Sequence, residues 1–170
     1  MRATTSPKPP KRSLIPKGGN DRVYTPRPLA QAIVAHFNPS GAILEPCRGT
    51  GAFWREGWDW CEIDQGRDFF DINPPYPPAH WDWVITNPPW SQFRRFLGRS
   101  MALSDNVVFL APVNHFWLKA RMRDIREAGF GFKEILLVDT PAKPWPQSGF
   151  QLGAVHLQRG HTGAIALNKL

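Results

Sequence analysis

The sequence predicts an α/β domain built on a mostly parallel sheet with helices on both faces. Three observations predict it. Short apolar runs of strand length alternate with segments whose apolar residues recur at helical spacing. The 170 residues suffice for one domain with a core of its own. The residues of unusual chemistry also fall at the carboxyl ends of the predicted strands, where parallel sheets hold their ligands.

The elements follow in order. Thr25-Pro26-Arg27-Pro28-Leu29 predicts a helix start with Thr25 as N-cap. Leu29, Ile33, Val34 and Phe37 supply its apolar stripe, and Asn38-Pro39-Ser40-Gly41 ends it. Ala42-Ile43-Leu44 is a buried strand running into the turn Glu45-Pro46-Cys47-Arg48-Gly49-Thr50-Gly51. A second strand covers about Trp58 to Ile63, and a third covers Trp83 to Thr86. Phe93, Phe96, Leu97 and Met101 mark a helix over Ser91 to Leu103. Asn106 to Ala111 is a strand, Trp117 to Ala128 a helix and Phe132 to Val138 a strand. Pro141 to Ser148 is a proline loop, and Phe150 to Leu157 a last strand.

Charge divides the chain. The net charge is +7, and Arg2, Lys8, Lys11, Arg12, Lys17 and Arg22 against Asp21 place +5 of it in residues 1–22. Segment 1–20, rich in proline and basic residues, reads as a disordered arm suited to a polyanion through counterion release. Residues 21–160 form the predicted domain and 161–170 a C-terminal tail. No apolar run spans a membrane and no secretory signal is evident, which makes the cytoplasm the expected location. Cys47 and Cys61 fit neither a metal site nor a disulfide framework, and no metal is expected.

The chain spells nearly the same tetrapeptide twice, Asn73-Pro74-Pro75-Tyr76 and Asn87-Pro88-Pro89-Trp90. The second copy follows the buried strand ending at Thr86 and precedes an amphipathic helix, so Asn87 stands on the ligand face. The first is followed by Pro77-Pro78, which break local order, and reads as a loop or lid. At the second copy the prolines fix the backbone, so the Asn87 amide oxygen and the Pro88 carbonyl can both accept from an exocyclic NH₂. Trp90 then stacks the ring that bears the amine. This arrangement orients an amine toward an electrophile without a protein nucleophile.

With these residues in view, the sequence resembles the S-adenosylmethionine-dependent N6-adenine methyltransferases. Val23-Tyr24-Thr25-Pro26 looks like the element that contacts the methionine end of the cofactor. Leu44-Glu45-Pro46-Cys47-Arg48-Gly49-Thr50-Gly51-Ala52-Phe53 looks like the cofactor-binding glycine turn, and Ile85-Thr86-Asn87-Pro88-Pro89-Trp90 like the catalytic motif. The resemblance implies a Rossmann-like methyltransferase fold with an antiparallel last strand. It implies cofactor contacts from Tyr24, Thr25, Pro26, Glu45, Pro46, Cys47, Arg48, Gly49, Gly51, Glu62 and Ile63. Glu62 would accept the ribose hydroxyls, Asp68 the adenine amino group of the cofactor, and Phe69 would pack on its ring, whereas the residues alone read Phe69-Phe70 as core. The catalytic set would be Asn87, Pro88, Pro89 and Trp90.

The sequence also departs from the family. Only five residues separate Glu62 from Asp68, where the family has a helix and a further strand. Arg48 replaces a small residue of the glycine turn. No segment resembles a target-recognition domain, which leaves room for a homodimer or a separate recognition partner. Arg94, Arg95 and Arg99 beside the motif are candidates for gripping nucleic acid, as is the helical face Lys119, Arg123 and Arg126. Trp145 is a candidate to stack a flipped base, the alternative being a packed aromatic of the proline loop. The expected reaction is methylation of adenine N6 in DNA. The same tetrapeptide type serves families that methylate guanine N2 or adenine in RNA, or glutamine in release factors. An accessory subunit active only with a partner and a plain basic nucleic-acid-binding protein are the readings of a different class.

Overall fold

The computed structural model of the protein describes residues 23–72, 80–147 and 149–170. The expectations for the basic arm 1–20 and for the first tetrapeptide, 73–76, fall outside the described residues. Among the described residues there are seven strands: β1 Ile43–Glu45, β2 Asp59–Trp60, β3 Trp81–Thr86, β4 Ser104–Pro112, β5 Phe130–Leu137, β6 Leu152–Arg159 and β7 Ala166–Lys169. Three helices accompany them: α1 Arg27–Phe37, α2 Phe93–Leu103 and α3 Lys119–Glu127.

The strands form one sheet in the order β2-β1-β3-β4-β6-β5-β7. The pairs β1–β2, β1–β3, β3–β4 and β5–β7 are parallel, while β6 runs antiparallel to both β4 and β5. The fold is therefore the expected Rossmann-like α/β fold with an antiparallel strand over residues 152–159. Strand pleating sends alternate residues to opposite faces. Val107 and Phe109 join the core under α2 and α3, with Phe93, Phe96, Leu97 and Ile125. Val108 and Leu110 join the core under α1, with Ala30, Ile33 and Val34. Helices thus cover both faces, and the central strands read as near-continuous apolar runs.

Three boundaries differ from expectation, each for a local reason. The N-cap of α1 is Pro26, not Thr25, and no side chain caps the helix. A proline at the N-cap has no side-chain oxygen to accept from the amides of the first turn. The second strand shrinks to Asp59–Trp60, because Glu62 already turns the chain into a single 3₁₀ turn, Ile63–Gln65. Segment 161–170, read from sequence as a tail, contributes β7 at the sheet edge.

The topology also fixes where a ligand belongs. From β1 the chain moves to β2 on one side and then to β3 on the other. The crevice beyond the carboxyl ends of β1 and β3 is thus the topological switch point of the sheet.

Candidate functional site

At the end of β1 the chain enters the glycine turn. Glu45 is fully buried, and the loss of water around its carboxyl raises its pKa well above the usual carboxylate range despite nearby Arg48 and Arg55. Its Oε2 has no hydrogen-bond partner among the described residues. Gly49 and Gly51 sit at φ 50° and 80°, a region side chains disfavour. A Cβ on Gly49 would lie 3.0 Å from the Tyr24 ring, so the turn and the N-terminal segment are in close contact there. The Gly49 amide donates to Glu62 Oε2 at 2.6 Å, and the Asp64 amide donates to Oε1 at 3.2 Å. Glu62 therefore joins the end of β2 to the glycine turn while retaining lone pairs for a further donor.

Beyond Glu62 the short connection takes an unexpected form. The Arg48 guanidinium lies between the Trp54 and Trp60 rings, 4.7 and 4.6 Å from their centroids, and Arg67 covers Trp60 at 4.1 Å. An alternating stack of aromatic and guanidinium planes thus holds the turn against the β2 edge. Arg48, out of pattern in the sequence, has a packing role. Ile63, 54% exposed, stands beside Glu62 with an apolar surface free. Asp68 Oδ1 accepts from the Phe70 amide at 2.9 Å in a tight local turn. Phe69 takes the core place that the residues alone suggest and not the one the resemblance implies: it is only 2% exposed and stacks on Phe96 at 5.4 Å, because the shortened connection directs it into the core beneath α2. The ring left at the surface is Phe70, covered by the Arg95 guanidinium at 3.7 Å.

The second tetrapeptide stands where the sequence placed it, immediately after β3. Asn87 Nδ2 donates to the Val23 carbonyl at 3.1 Å, and its Oδ1 has no hydrogen-bond partner among the described residues. The amide is held by its donor end and its acceptor end is left over. Trp90 begins a 3₁₀ turn, Trp90–Gln92, leading into α2. Its ring meets Phe150, Trp145 and His115 edge-to-face at 5.4, 5.8 and 6.1 Å. Trp145 is not available to stack a base. It is 2% exposed, and its Nε1 donates to the Tyr24 carbonyl at 3.1 Å. The indole satisfies its polar N–H by bonding inward, which is the low-energy choice for a Trp in a packed loop.

His115 escaped sequence reasoning. It lies in the 3₁₀ turn Val113–His115 that follows β4, against Trp90 and Phe93. Its Nδ1 is buried without a partner among the described residues, and burial, with the nearby Arg121, holds its pKa below the usual histidine value. The one signal available was position, since it follows the carboxyl end of a central strand. Cys47 and Cys61 are free thiols. Burial pushes Cys47 well up and Cys61 to about 12, so neither is a ready nucleophile near neutral pH.

The arginines separate into two groups. Arg94, Arg95 and Arg99 line a groove beside the tetrapeptide. Lys119, Arg123 and Arg126 border another, over Met122 and Phe130, and Arg123 faces Asp124 and Glu127 at 3.8 and 4.0 Å. The structure does not bring that second group to Asn87.

No protein-family profile and no curated protein matches the chain. Solved structures do, and they share a class of fold, that of the S-adenosylmethionine-dependent methyltransferases. The methyltransferase subunit of a type I restriction-modification system from Streptococcus thermophilus superposes with a TM-score of 0.61 at 14% identity, over 86% of this chain and 47% of its own. A candidate class I methyltransferase from Listeria monocytogenes gives 0.59 at 12%, over 89% and 67%. A candidate RNA methyltransferase from Pyrococcus horikoshii gives 0.53 at 13%, over 78% and 83%. At such identities the likeness is one of fold.

Proposed function

We propose that the protein transfers a methyl group from S-adenosylmethionine to the exocyclic N6 amine of adenine in DNA. The observation that carries this reading is the Asn87 amide, fixed through Nδ2 to the Val23 carbonyl so that Oδ1 is the end free to accept. An acceptor at a strand end, followed by two prolines and a Trp, suits an aromatic amine. Asn87 Oδ1 and the Pro88 carbonyl accept its two N–H groups, Pro89 keeps the turn rigid, and Trp90 stacks the ring.

The residues around the switch point suit the cofactor. Gly51 leaves the backbone of the turn bare for close approach and Gly49 makes room for the Tyr24 ring, beside Glu45, Pro46, Cys47 and Arg48. Tyr24 borders the same turn, Thr25 and Pro26 follow it in the chain, and the Thr25 hydroxyl is buried without a partner among the described residues. Glu62 accepts the ribose hydroxyls with its remaining lone pairs, and exposed Ile63 gives the adenine an apolar face in place of Phe69. Asp68, with Oδ1 engaged by Phe70, has Oδ2 left for the adenine amino group. When bound, S-adenosylmethionine supplies a methyl on a sulfonium: the N6 lone pair forms the N–C bond, sulfur keeps the C–S pair, and the amine proton leaves to solvent. Asn87 and Pro88 assist by pointing the lone pair and sharing the positive charge that develops on nitrogen.

The test is transfer from labelled S-adenosylmethionine to duplex DNA, single-stranded DNA and RNA, with identification of the methylated nucleoside and Asn87→Ala in parallel. N6-methyladenine from DNA, lost in Asn87→Ala, is expected. Another nucleoside would keep the chemistry and overturn the substrate. Cofactor binding without transfer to any nucleic acid, restored by an added protein, would favour an accessory subunit.

A further inference from the structure

A groove of about 690 Å³ runs between α2 and α3, starting where the catalytic turn ends. Ser91 and Gln92, just past Trp90, form its near end, and Arg94, Arg95, Arg99 and Arg121 form its walls. Four guanidinium groups there face one carboxylate, Asp124. Arg94 holds that carboxylate in a two-pronged pair, Nε to Oδ2 at 2.6 Å and Nη2 to Oδ1 at 3.0 Å. The other three have no ion-pair partner among the described residues. The Arg95 guanidinium carbon lies over the Phe70 ring, 3.7 Å from its centroid. Arg99 donates Nη2 to the Ile72 carbonyl, and its Nε is buried without an acceptor among the described residues. Arg121 is in the same condition at Nε, with its guanidinium 5.6 Å from the Phe93 centroid.

Buried guanidinium N–H groups without acceptors are costly in a free protein. They suit a site whose acceptors arrive with the ligand. A planar fork of donors matches phosphate oxygens two at a time, and the aromatic rings of Phe70 and Phe93 lie against Arg95 and Arg121. An arginine plane lying on phenylalanine is also a surface on which a nucleic-acid base can stack. Charge, donors, stacking surface and continuity with Asn87 point to the same occupant.

We infer that this groove holds the DNA strand flanking the target adenine, with Arg99 and Arg121 on phosphates and Arg95 over Phe70 stacking a neighbouring base. The inference rests on the function proposed above and gives it a strand-holding element within the catalytic domain. A target base drawn out of a duplex requires such a hold on its own strand close to the reacting atom.

The experiment is equilibrium binding of a fluorescent single-stranded deoxyoligonucleotide containing one adenine, across a salt series. Wild type is compared with Arg95→Ala, Arg95→Lys and the double change Arg95→Ala with Arg121→Ala. S-adenosylmethionine affinity and melting temperature are measured on each. The double variant is expected to bind about tenfold more weakly at low salt, with a log–log salt slope shallower by roughly 0.7 per lost phosphate contact. Its cofactor affinity is expected to stay unchanged. Arg95→Lys is expected to keep the slope and lose affinity, since an ammonium keeps the charge without the stacking plane. Should Arg121→Ala compromise folding, Arg95→Ala carries the comparison, because that side chain is exposed. Unchanged affinity and slope in a folded variant, or no oligonucleotide binding by wild type, would overturn the groove. Failure of the methylation reading looks different: binding and slope behave as stated, but no methyl group is transferred.

Discussion

The side-chain amide of Asn87 donates to the main-chain carbonyl of Val23 at 3.1 Å, across 64 residues of sequence. The next carbonyl, that of Tyr24, receives the Trp145 indole N–H at the same distance. Two consecutive peptide units ahead of α1 thus orient the candidate catalytic side chain and anchor the loop behind it. The direction of the Asn87 oxygen is set by this segment as well as by the strand that carries it.

Replacing Asn87 by Asp keeps the shape and removes the donor, leaving a carboxylate facing a carbonyl. Methyl transfer is expected to fall about 10²- to 10³-fold, as when one preorganised polar group is removed from an active site. Steady-state rates beside cofactor titration check this. A rate loss with the same loss of cofactor affinity would instead place Asn87 in cofactor binding.

Gly49→Ala puts a methyl group 3.0 Å from the Tyr24 ring at a φ of 50°. The backbone cost is about 1 kcal/mol, and the exposed Tyr24 ring must move aside. S-adenosylmethionine affinity is expected to fall about tenfold, with a modest drop in melting temperature. Calorimetric titration reads the first and thermal unfolding the second.

Phe69→Ala separates a core role from a ligand role. The buried ring stacked on Phe96 predicts a loss of about 3 kcal/mol in unfolding free energy, within the range for truncating a core phenylalanine. Phe69→Leu, which refills most of the space, is expected to bind the cofactor like wild type. Weakened cofactor binding in a stable Phe69→Leu protein would return this residue to the adenine pocket.

His156 makes stability depend on pH. Burial, with a smaller push from Lys133, lowers its pKa to about 4, against the ordinary 6.5; Glu134 acts weakly in the other direction. The folded state therefore resists a proton that the unfolded chain accepts. Stability from this group is intact above pH 6.5 and declines as pH falls from there to about 4, by about 3 kcal/mol in total. His156 packs beside Trp83 and bonds Asn106 Oδ1 at 2.9 Å. His156→Gln, a neutral amide in its place, is expected to flatten denaturant-measured stability between pH 6.5 and 4.

The sheet was legible because its signals are carried by side chains. Runs such as Val84-Ile85 and Val107 to Leu110 are buried on both faces, and the Phe93, Phe96, Leu97 and Met101 stripe could only be a helix. What escaped reading is carried by the backbone or by exchange of partners. Strand β7 has no buried residue and exists through its pairing with β5, which no periodicity records. The role of Val23 in aiming Asn87 belongs to a carbonyl, which every residue has. Arg48 looked like an intruder in the glycine turn because its partners, Trp54 and Trp60, meet it only after folding. For Trp145 the sequence left base stacking and loop packing open, and the packed alternative holds because its N–H finds an acceptor inside.

Strand β7 has a consequence for how the molecule behaves in company. Among the described residues it is the last strand of the sheet, paired on one side only, with Leu167 65% exposed and Ile165 and Leu170 nearby at 44% each. Its outer rim offers unpaired amides and carbonyls, a ready template for another chain. Lys169, the one charge within the strand, faces Asp139 at 3.2 Å, which mutes its repulsion of a neighbour. At high concentration this rim is where one copy would extend the sheet of another, so self-association would begin on the edge farthest from β2 and remote from the switch-point crevice.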